Sequence, residues 1–146
     1  MKTPRHAKIT NAAILALGLS AIVTSPAFAA NLTIEVSGEV GDKGAVLVAL
    51  YKASDKWMGK ATDIRRTAAV KSGVAVTFND LADGEYAISL FVDENSNGKL
   101  DTNAVGMPIE PYAFSNDASG SFGPPSFDKA KFVLGKDDKK HVITVK

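Results

Sequence analysis

The chain contains no cysteine. Disulfides, thiolate zinc sites, a cysteine nucleophile and a lipid-anchoring cysteine are all excluded. Histidine is nearly as scarce, with His6 close to the start and His141 close to the end. A histidine-rich metal site cannot be built from that, and a Ser-His-Asp triad would have to recruit His141. That residue falls in the alternating run 140–145, which reads as a terminal strand carrying an exposed histidine. Charge of one sign is also missing, with 17 Lys and Arg against 16 Asp and Glu. No basic face is implied, so nucleic acid is not an expected partner. Internal repeats and low-complexity tracts are absent as well.

What is present begins with a leader pattern. Lys2, Arg5 and Lys8 precede an apolar stretch over residues 12–22, followed by Pro26 and Ala27-Phe28-Ala29. A basic segment, a short apolar segment and small residues at the cleavage positions make a bacterial Sec-type signal peptide over 1–29. The apolar stretch is too short to span ~30 Å of hydrocarbon. The expected mature chain is residues 30–146, exported to the periplasm or secreted, with no membrane span. Removing three basic residues leaves 14 against 16 acids, a net charge of −2. With no disulfide, such a domain must be held by its core, by a metal, or by both.

The rest alternates with period two. Leu32, Ile34 and Val36 are interleaved with polar residues, and 45–51 is a nearly continuous apolar run expected to be a central strand. Residues 52–66 are polar and mixed. They read as a long connection, with Trp57 as a plug over one end of the core. Strands are expected near 67–71, 74–78 and 86–92, with a tight turn at 79–84 marked by Asp83-Gly84. Residues 131–134 and 141–146 read as a final pair of strands joined by a hairpin at 135–140. Seven or so short strands with no amphipathic helix predict an all-β fold: a single antiparallel β-sandwich with Greek-key connections.

One stretch carries specific chemistry. Residues 93–103 read Asp-Glu-Asn-Ser-Asn-Gly-Lys-Leu-Asp-Thr-Asn. Asp93, Asn95, Asn97 and Asp101 occupy positions 1, 3, 5 and 9 of a calcium loop, Gly98 supplies the reversal at 6, and Lys99 offers its carbonyl at 7. Calcium takes six to eight hard oxygens, which such a loop can turn toward one centre. The position of the closing glutamate holds Ala104, and a strand precedes the loop where an EF-hand has a helix. The missing carboxylate must come from elsewhere. Glu94, Glu110 and Asp117 are the nearest, with Glu110 the first choice. Asp- and Asn-rich stretches also make ordinary turns, but five liganding positions kept in register over nine residues exceed what a turn needs.

The loop runs on to residue 130. Between 104 and 129 stand Tyr112, Phe114, Phe122 and Phe127 among prolines and glycines. That aromatic content predicts an ordered segment folded back on the domain.

Several blocks together carry a resemblance: Gly84-Glu85-Tyr86, the acidic stretch 93–103, Gly106-Met107-Pro108-Ile109-Glu110-Pro111-Tyr112, and Pro125-Ser126-Phe127-Asp128. They resemble an exported bacterial family known as domain of unknown function 2141. The resemblance covers most of the mature chain. It implies a small sandwich of the transthyretin-like or immunoglobulin-like kind and no particular activity. The leading functional expectation is a non-enzymatic exported protein that binds Ca2+ through Asp93, Asn95, Asn97, Lys99, Asp101 and Glu110, and recognises a protein or glycan. One alternative is a carbohydrate-active hydrolase using paired acids among Asp93, Glu94, Asp101 and Glu110. Another is a carrier of a small apolar ligand beneath 104–129.

Overall fold

The computed structural model describes residues 29–146. The signal peptide expected over 1–29 lies outside the described residues except for Ala29, which begins β1. The fold is all-β, with eight strands in two sheets: β1 (Ala29–Gly38), β2 (Ala45–Lys52), β3 (Asp63–Ala68), β4 (Val74–Ala82), β5 (Gly84–Asp93), β6 (Tyr112–Phe114), β7 (Phe132–Leu134) and β8 (Lys139–Val145). Helix is confined to a 3-10 turn over Ser115–Asp117 and the four-residue α1 (Phe127–Ala130).

The first sheet has the order β4-β1-β8. The second has the order β3-β2-β5, and β5 is flanked on its far side by β6 near one end and β7 near the other. Three expectations are corrected here. Residues 79–84 are not a tight turn: β4 continues through Ala82, and only Asp83 separates it from β5, which lies in the second sheet. Residues 135–140 are not a hairpin: β7 pairs with β5, whereas β8 pairs with β1. That last pair is parallel, so the first sheet is mixed. A polar turn that doubles back and one that crosses between sheets need the same residues, so local sequence does not separate them. The count of seven missed β6, whose three residues are too few to show a period. It also displaced β3, whose Asp63, Arg65 and Arg66 suit an edge strand and hide its alternation.

Alternation is visible where strands are long. Leu32, Ile34 and Val36 of β1, Val46, Val48 and Leu50 of β2, and Ile88, Leu90 and Val92 of β5 are buried in one core shared by both sheets. Each such side chain contributes about 1.5–3 kcal/mol by leaving water. Trp57 is not part of that core. It packs on the opposite face of the second sheet against Tyr51, Phe114 and Phe127, with ring centroids 4.9, 6.0 and 5.8 Å away. Its indole N–H donates to the Pro125 carbonyl at 2.7 Å. Trp57 therefore fastens the long segment to the sheet, as the aromatics of that segment predicted. Phe122 is the exception and is fully exposed. His141 is half-buried, not exposed: its ring stacks on Phe132 at 4.3 Å.

Candidate functional site

The acidic loop leaves the end of β5 and returns as β6, its antiparallel neighbour. Everything between, residues 94–111, is held by two carboxylates. Asp93 lies wholly buried at the base. Ser96 and Gly98 adopt left-handed backbone with φ of 62° and 78°. The chain thereby curls so that the N–H groups of Asn97 and Gly98 donate to the two Asp93 oxygens, both at 2.9 Å. Such a curl of N–H groups is a ready anion cradle. Arg66 adds a guanidinium contact to Asp93 at 3.8 Å.

Glu110 is the second clamp. It is also buried, and its two oxygens accept the N–H groups of Glu94 and Asp101, each at 2.9 Å. The two ends of the acidic stretch are thus tied to one side chain. Above these clamps the remaining side chains face one another. The amides of Asn95 and Asn97 both donate to the Asp101 carboxylate, Asn97 at 2.9 and 3.0 Å. The Asn97 carbonyl oxygen accepts the Lys99 N–H at 2.8 Å.

The sequence-selected residues therefore come together, in two tiers. Asp93 and Glu110 cap backbone from below, while Asn95, Asn97 and Asp101 meet above. Glu94 contributes only its N–H. Asp117 is elsewhere, receiving the Thr144 N–H at 3.3 Å. Among the described residues, no three His, Cys, Asp or Glu side chains gather as a metal cluster. An ion here would draw on amide and backbone oxygens as well as carboxylates, the donor mixture typical of calcium. Each clamping carboxylate has about four acceptor positions and spends two of them on N–H groups.

Sequence reasoning missed three contributors. Asn103 accepts the N–H groups of Val105 and Met107 and so builds a small hairpin whose Val105, Met107 and Ile109 are exposed. Gly44, in the connection between β1 and β2, backs directly onto the Asp93 carbonyl. Arg66 reaches Asp93 only because β3 lies beside β2. The Asn103–Gly106 spacing is a turn signal that could have revealed the first. Nothing local marks the other two.

Fold and site define the class: an all-β, two-sheet protein with a long loop closed by buried carboxylates. The chain belongs to the family of uncharacterized proteins conserved in bacteria, domain of unknown function 2141, which it matches over residues 34–142. No curated protein and no solved structure matches it. Among the described residues, no helix is long and apolar enough to cross a membrane.

Proposed function

We propose that this is an exported, non-enzymatic β-sandwich of Greek-key type, transthyretin-like or immunoglobulin-like, whose loop 93–103 binds Ca2+ and so fixes a recognition surface for a protein or glycan. The sandwich reading is supported by the core that both sheets share. The Greek-key reading is supported by Tyr86. It opens β5 just after the chain changes sheet, and its hydroxyl donates to the Ala82 carbonyl at 2.8 Å. A tyrosine that ties back a sheet-crossing corner in this way recurs in such sandwiches.

The calcium reading rests on one observation: Asn95 and Asn97 converge on Asp101, while the Asn97 N–H donates to Asp93. Rotating those amides would offer carbonyl oxygens to a cation held by Asp101. The non-enzymatic reading is supported by the clamps. Of the four acids that glycoside hydrolysis could draw on, Asp93 and Glu110 are engaged in capping backbone and Asp101 receives the Asn95 and Asn97 amides, which leaves Glu94 without an uncommitted partner in the loop. The partner surface is the exposed hairpin tip of Val105, Met107 and Ile109.

Calorimetric titration with CaCl2 tests this, with melting measured in calcium and in chelator. The expected Kd is on the order of 10⁻⁴ to 10⁻³ M, as in extracellular modules. At 100-fold excess over Kd the gain is about 2.7 kcal/mol. Asp101→Asn should abolish the gain. A melting temperature unmoved by millimolar calcium would end the calcium reading.

A further inference from the structure

The second sheet has a face turned away from the shared core, and part of it is open. Leu47 and Ala49 of β2, Phe91 of β5 and Ile64 of β3 line a groove of about 270 Å3. Met58 and Leu100, from the two flanking connections, and Tyr112 and Phe114 of β6 also line it. Ile64 is 57% exposed and Met58 43%. Met58 also holds a left-handed φ of 59°, an unusual conformation for a long side chain.

A cation stands next to this apolar trough, beside the lining residue Leu47. In register, Arg66 stands opposite Leu47, and Leu47 opposite Phe91, so the three occupy one row on one face. The Arg66 side chain is 54% exposed. Its ion-pair contact, to Asp93 at 3.8 Å, goes to a carboxylate that already receives two backbone N–H groups. A guanidinium has five donors in a planar fork that matches a carboxylate. The apolar floor thus lies beside a cation with donors to spare, one strand over from Leu47.

We propose that this groove binds a free apolar carboxylate of one chain or ring, such as a medium-chain fatty acid. The chain lies over Leu47, Ala49 and Phe91, and the carboxylate meets Arg66. Charge complementarity selects the anionic head. The volume lies just below the ~300 Å3 at which pockets for larger molecules begin, which suits one chain and excludes a folded segment. The site is concave, so it receives a dissolved monomer. A bilayer keeps its chains beneath the headgroups. Tyr112 and Phe114, from the segment 104–129 under which the sequence leads one to expect an apolar ligand, line the same groove. The inference does not depend on an ion in the acidic loop, although Gly98 and Leu100 of that loop line one side.

The test is titration of the protein with decanoate and with decanol, below micelle-forming concentrations and in EGTA. Fluorescence of Trp57 provides the readout, since its ring lies 4.9 Å from that of Tyr51, which also lines the groove. Saturable one-to-one binding of decanoate is expected. Arg66→Gln should weaken decanoate roughly 10-fold or more while leaving decanol unchanged. Arg66→Lys should recover part of the loss, and Ile64→Ser, on an exposed edge strand, should weaken both ligands alike. The proposal is overturned if decanoate does not saturate, if Arg66→Gln binds it as tightly as the parent, or if association requires anionic vesicles.

Discussion

Glu110 accepts the backbone N–H of Asp101 at 2.9 Å, nine residues back along the chain, while its other oxygen holds Glu94. A buried carboxylate used this way closes the loop as a covalent clip would. Glu110→Ala strands two N–H groups and should cost about 2–4 kcal/mol. Glu110→Gln, which turns an amide donor toward one of them, should cost roughly half as much. Urea unfolding measures both. A loss below about 0.5 kcal/mol for the alanine variant would mean that water replaces the carboxylate.

The two glycines around the loop should differ sharply. Gly44 has φ of +74°, and a Cβ there would lie 1.9 Å from the Asp93 carbonyl oxygen. Gly98 has φ of +78°, but nothing lies within 4 Å of its Cβ position. Gly98→Ala should cost only the left-handed backbone, about 1–2 kcal/mol. Gly44→Ala must move main chain and should cost more than about 3 kcal/mol or prevent folding. Thermal melting of the pair decides it, and equal losses would show that the connection yields.

Tyr86→Phe removes one hydrogen bond and keeps the ring in the core. A loss of about 0.5–1.5 kcal/mol is expected in chemical unfolding, with an unchanged denaturant slope.

Burial pushes the His141 imidazole below the usual histidine range, Lys139 pushes the same way, and Asp117 opposes them. The folded state therefore disfavours the charged ring. Its contribution is fully present above the unfolded value of about 6.5 and is lost as pH falls through the folded value. Asn116 also donates its N–H to the ring at 3.4 Å, an acceptor that protonation removes. Melting temperature should fall as pH drops below about 6.5, and His141→Gln should flatten that fall. Parallel curves for the two proteins would count against the account.

Trp57→Phe keeps an aromatic ring but loses the bond to Pro125. Amide exchange should quicken at Lys129, Ala130 and Lys131, whose N–H groups close the turns of α1. The core amides of Val48 and Leu50 should be unaffected. Uniform acceleration would place Trp57 in the global core instead.

The long strands and the acidic loop could be read directly from the residues. Leu32-Ile34-Val36 and Ile88-Leu90-Val92 declare a buried face by period alone. The loop was legible because Asp93, Asn95, Asn97 and Gly98 act within a few residues of one another. Glu110 could be chosen as the closing carboxylate because few acids lie near. Its action on backbone N–H groups could not be read, since that depends on how 94–111 folds between β5 and β6.

Residue order alone determined an all-β chain with an oxygen-rich loop after β5, because types and local spacings fix period, turns and charge. It did not determine which strands pair. β7 and β8 are close in sequence yet belong to different sheets, and β1 finds β8 in parallel from the far end of the chain. That choice is made by the packing of a core shared by both sheets. The same packing sets Arg66 beside Leu47, gives Asp93 its guanidinium, and leaves an apolar groove that no segment of the sequence announces.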